Sequence, residues 1–71
     1  MTTGEMLSWT SRFNDIISRS VDIEMQDRRL GIMMADLEKT YGIPAERNVN
    51  FEKENPYVIQ LYRTVSDART F

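Results

Sequence analysis

Cysteine and histidine are both missing from this 71-residue sequence. Without thiols there is no disulfide to staple a small core, and without thiolate or imidazole there is no ordinary zinc site. The same absences remove the commonest nucleophile–base pairs, leaving carboxylates, hydroxyls and lysine for any catalysis. Glycine occurs three times, at Gly4, Gly31 and Gly42, and never with the spacing of a phosphate loop. No window offers the alternating Asp/Asn, glycine and final glutamate of a calcium loop. The closest acidic pairs, Asp22/Glu24 and Glu52/Glu54, read as solvated helix and loop charges. The expectation is a non-enzymatic chain that holds no metal and no cofactor.

An excess of one charge is missing too. The formal net charge is −2, with nine basic residues scattered among eleven acidic ones. No basic arm or acidic tail stands out, so nothing draws the whole chain towards nucleic acid. There is no long hydrophobic run either. The longest, Ile32-Met33-Met34-Ala35, falls far short of the roughly 20 residues that cross a bilayer. The opening MTTGEMLSWTS has neither the basic start nor the apolar centre of a signal peptide. These features predict a single small domain over residues 1–71, cytoplasmic and without a membrane partner.

What the sequence does possess is helical periodicity. Met6, Trp9, Phe13, Ile16, Ser20, Ile23, Asp27, Leu30, Met34, Leu37 and Tyr41 are spaced alternately three and four apart, and nine of these are apolar. That is the pattern of a helix burying one seam against another helix. A small chain without disulfides or metal gains stability from regular helix packing or from oligomerisation, and the seam serves both. The fold class is therefore all-α, a small helical bundle.

Helix begins near Thr3 or Gly4, with Thr2 or Thr3 as cap and Glu5 in the first turn. It stops at Tyr41-Gly42-Ile43-Pro44, where Gly42 suits the left-handed position and Pro44 cannot continue. Gly31 weakens the helix by about 1 kcal/mol relative to alanine without ending it. Two arrangements satisfy residues 4–41. One is a single helix about 57 Å long, at 1.5 Å per residue, needing a partner chain. The other is a hairpin that reverses near Arg19-Ser20-Val21-Asp22, with Ser20 capping the second helix. Unbroken heptad phase and the lack of Gly, Pro or Asn in the turn tip the balance narrowly to the single helix.

Residues 43–54 read as a polar loop anchored by Ile43, Val49 and Phe51. Asn55-Pro56 then starts a short helix over about 56–69, with Asn as cap and Pro at the first position. Val58, Leu61, Tyr62, Val65 and Ala68 form its apolar stripe, which is expected to pack on residues 22–41.

The candidate sites are interaction surfaces. Met6, Trp9, Phe13 and Ile16 present more apolar surface than a short chain easily covers, which points to self-association as a dimer. On residues 22–41 a narrow second stripe, Met25 and Ile32, lies opposite the main seam beside Arg28 and Arg29. Such a stripe commonly ends up under the last helix or the loop. Left open, it is a patch for a partner protein. The implied function is a protein–protein interaction module acting as adaptor, inhibitor or assembly factor. The alternative is a helix-turn-helix DNA binder, in which residues 34–44 supply the first helix and turn and residues 45–55 the recognition helix. Arg47, Asn48 and Asn50 would face bases there, whereas Glu46, Glu52 and Glu54 would repel phosphates.

Overall fold

The computed structural model describes residues 1–69. Its elements are α1 (Thr3–Arg19), α2 (Ile23–Tyr41), α3 (Val49–Glu54) and α4 (Pro56–Asp67). The fold is all-α, 78 % helical, and among the described residues there is no strand. α2 is the central element, with α1 on one flank, α4 on another, and α3 resting on α4.

Residues 4–41 form the hairpin, not the single long helix. Ser20 leaves helical geometry at φ −72° and ψ 131°, and its N–H and hydroxyl both donate to the Ile16 carbonyl, closing α1. Asp22, not Ser20, caps α2: its carboxylate accepts from the Met25 N–H at 2.7 Å. Two polar side chains thus satisfy the helix ends at the turn without any Gly or Pro. Heptad continuity across the turn carried no information, because each arm of a hairpin needs its own stripe and their relative phase is free.

The other termini follow ordinary capping chemistry. Thr2 and Glu5 form a capping box, Thr2 Oγ1 accepting from the Glu5 N–H and donating to Glu5 Oε1, both at 3.1 Å. Gly42 ends α2 at φ 65° and ψ 40°, a left-handed conformation that a Cβ would strain.

Residues 43–54 contain a helix where a loop was expected. Asn48 caps α3 by accepting from the Phe51 N–H at 2.9 Å, and six residues suffice because α3 leans on α4. Ile43 and Phe51 are half-buried as anchors, whereas Val49 is 62 % exposed. Asn55 precedes α4 as expected, but its side chain makes no capping bond there. Its Nδ2 instead donates to the Phe51 carbonyl at 3.1 Å, so the side chain closes α3. α4 ends at Asp67, two residues before the expected limit.

The core is built on α2. Leu30, Met33 and Leu37 have no exposed surface, and they cluster with Ile16 of α1 and Val65 of α4. Trp9, Phe13, Met34, Tyr41, Ile43, Leu61, Tyr62 and Ala68 pack around them. Each fully buried side chain contributes about 1.5–3 kcal/mol relative to exposure. α4 therefore packs on the cluster around α2 through Leu61, Tyr62, Val65 and Ala68 of its stripe, while Val58 is buried outside that cluster.

Asp27, a seam position, is buried at 8 % exposure. Arg69, beyond α4, reaches back to it, Nη2 to Oδ2 at 3.0 Å and Nε to Oδ1 at 3.2 Å. The guanidinium lies over Gly31, where a Cβ would meet Nη1 at 3.2 Å and Cζ at 3.3 Å. Glycine inside α2 thus makes room for this ion pair. Gly31→Ala should gain less than the helix-propensity value of about 1 kcal/mol in the wild type, and the full value once Arg69→Ala has cleared the site. Urea denaturation of the four-protein cycle measures this. Equal gains in both backgrounds would show that the guanidinium does not rest on Gly31.

Candidate interaction surfaces

Most polar side chains between the helices are already committed to one another. At the open end of the hairpin, Trp9 Nε1–H donates to the Tyr41 hydroxyl at 2.9 Å, and that hydroxyl donates to Glu5 Oε2 at 2.6 Å. The Trp9 and Tyr41 rings are tilted, with centroids 6.2 Å apart. Arg12 covers the Trp9 ring at 5.5 Å and pairs with Asp36 at 2.7 Å. Hydrogen bonds from Tyr41 and then Thr2 hold the Glu5 carboxyl below the usual carboxylate range. Burial and then the Glu5 contact push the Tyr41 hydroxyl up.

Near the same C-terminal end of α2, Glu38 accepts from the Tyr62 hydroxyl, and Glu52 of α3 receives both Arg47 and Arg63. An open depression of about 310 Å³ lies here, with Ile43, Phe51 and Ile59 among its walls. Four of its charged groups, Glu38, Arg47, Glu52 and Arg63, are engaged in these contacts. Among the described residues no group of His, Cys, Asp and Glu could hold a metal, and no buried side-chain nitrogen or oxygen lacks a hydrogen bond.

The first candidate surface is only partly available. Ile16 is in the core, Trp9 is tied to Tyr41, and Met6 and Phe13 are half-buried. Met6 and Phe13 do line an open groove of about 420 Å³ between α1 and α4, together with Tyr57 and Leu61 of α4. The remaining lining residues are Thr10, Asn14, Gln60 and Thr64, so the groove is uncharged from end to end. Tyr57, 59 % exposed, is its most open apolar residue. In the α4 half, Leu61 belongs to the expected core stripe, whereas Tyr57, Gln60 and Thr64 follow the neighbouring helical face, which the apolar pattern does not mark.

The second candidate surface is open at Ile32, 52 % exposed, and at the exposed Arg28 and Arg29, whereas Met25 is half-buried. The segment considered as a recognition helix, residues 45–55, contains only α3, about 9 Å long at 1.5 Å per residue. Arg47 precedes that helix and is held by Glu52 at 3.3 Å.

Compared with protein-family models, curated proteins and solved structures, the chain matches none of them.

The Tyr62–Glu38 contact has a measurable pH signature. Its hydrogen bond to the carboxylate, then burial, push the Tyr62 hydroxyl up to about 12. A raised folded value means the stabilisation is whole below the ordinary tyrosine value of about 10 and is lost as pH rises towards 12. Wild-type stability should fall more steeply over that window than that of Tyr62→Phe, as read by urea midpoints. Parallel pH profiles for the two proteins would refute the coupling.

Proposed function

We propose that the chain is a non-enzymatic protein–protein interaction module that pairs with a second copy of itself across the α1/α4 groove. The observation that carries this reading is the groove's lack of charge. Charged residues make up 28 % of the sequence, a frequency at which eight lining residues would include about two. A two-fold interface brings each residue near the axis close to its own copy, so a charge there meets a like charge. An uncharged surface of Met6, Phe13, Tyr57 and Leu61, edged by hydroxyls and amides, avoids that repulsion and offers apolar area to bury.

Self-pairing also answers the chain's shortage of core. Among the described residues six hydrophobic side chains are fully or nearly buried, while Met6, Phe13 and Leu61 are left half-covered. A standard interface takes about 800 Å² from each partner, roughly a sixth of the 5101 Å² that this chain exposes. Of the four residues first expected to mediate self-association, Met6 and Phe13 contribute here, whereas Trp9 and Ile16 serve the interior. DNA binding has less support, since α3 is acidic and its neighbouring arginine is engaged. An adaptor, inhibitor or assembly role fits a module that leaves open one uncharged groove and one apolar stripe beside unpaired arginines.

Sedimentation equilibrium tests the pairing. The wild type should shift with concentration from 8.4 kDa towards twice that mass. Tyr57→Glu, at an exposed position, should remain a folded monomer by circular dichroism and sedimentation. A wild type that stays at 8.4 kDa at every concentration would end the self-pairing reading.

A further inference from the structure

The outer face of α2 carries positive charge that the rest of the molecule does not neutralise. Of nine basic residues, five are arginines in ion pairs: Arg12 with Asp36, Arg19 with Asp15, Arg47 and Arg63 with Glu52, and Arg69 with Asp27. The other four are Arg28, Arg29, Lys39 and Lys53, and among the described residues none has an ion-pair partner. Three of these four belong to α2. At about 100° per residue, Arg28, Arg29 and Lys39 fall on one arc opposite Leu30, and Met25 and Ile32 lie inside that arc.

Two features sharpen the pattern. Asp36 within the arc is neutralised by Arg12 at 2.7 Å. Among the described residues Glu24 at its edge, one turn before Arg28, is the one unpaired acid beside three unpaired cations, so the face is basic in sum. Lys39 sits in the last turn, where a cation favours the helix end, but Arg28 and Arg29 lie in the body of α2 with no such role. Ile32, 52 % exposed, is one heptad from Met25, so the apolar pair runs along the helix axis between the guanidinium groups.

From this charge pattern we infer that the outer face of α2 docks an acidic amphipathic helix of a partner protein. Such a helix would lay apolar residues at three- and four-residue spacing onto Met25 and Ile32. Its flanking Glu and Asp side chains would take the unpaired forks of Arg28 and Arg29. The proposal uses a different helix face from the self-pairing groove and stands independently of it. A lipid surface fits less well, because membrane docking needs a broad apolar face and this one is two side chains wide. A nucleic acid fits less well, because phosphates would engage the arginines but leave Met25 and Ile32 without apolar partners.

The test uses the full chain and a fluorescein-labelled, three-heptad synthetic helix with leucine at the seam positions and glutamate on the flanks. Fluorescence anisotropy at low salt should show saturable binding that weakens as salt rises. Arg28→Glu combined with Arg29→Glu should weaken it about tenfold or more, with circular dichroism and the thermal midpoint unchanged. Ile32→Asp should weaken it as well, and so should replacing the peptide's glutamates with glutamine. The proposal is overturned if no saturable binding occurs, if the glutamine peptide binds equally well, or if the double arginine variant binds like wild type. It is also overturned if the arginines prove necessary only for binding phosphatidylserine vesicles or duplex DNA.

Discussion

Leu30, Met33 and Leu37 are fully buried because α2 is a shared wall, and that double duty organises the rest of the molecule. With no cross-link available, one helix must give α1 and α4 a common surface or neither has a core to join. The polar contacts repeat the arrangement at the edges of the wall. α2 supplies one partner in four ties to its neighbours: Asp27 for Arg69, Asp36 for Arg12, Glu38 for Tyr62 and Tyr41 for Trp9. Apolar burial supplies most of the stabilisation, and these flanking bonds fix the order and orientation in which the neighbours settle.

The helices were legible in the sequence to the extent that their causes are local. Thr2 with Glu5, Gly42 before Pro44, and the stripe Val58–Leu61–Val65 each act within a turn or two, and each appears in the structure. The reversal at Ser20–Asp22 was harder, because a polar turn without Gly or Pro resembles a polar interruption in a longer helix. α3 was missed for a tertiary reason: six residues with poor propensity are held by Asn48, Asn55 and α4. The bond from Arg69 to Asp27 spans 42 positions and has no local signature at all. Of the candidate surfaces, the outer stripe of α2 was visible as periodicity. The groove was visible only on its α1 side, because its other wall comes from a helix whose placement had to be known first.

The two proposed surfaces differ in chemistry. The α1/α4 groove is uncharged and suited to meeting its own likeness, whereas the outer α2 face is basic and suited to meeting something unlike this acidic chain. Because they occupy different helix faces, neither occupant needs to exclude the other. A paired molecule would carry two basic stripes at a fixed separation, so a partner with two acidic helices would bind with a raised effective concentration.

The clasp around Trp9 has a spectroscopic consequence. The chain has one tryptophan, and its indole N–H is bonded to α2 while an arginine covers the ring. Its emission is therefore a gauge of hairpin closure. Parting α1 from α2 would exchange the tyrosine hydroxyl for solvent around the excited indole dipole and shift the emission maximum to longer wavelength. A chain this small thus carries an intrinsic optical readout at one helical junction, which lets separation of α1 be followed apart from loss of α3 or α4.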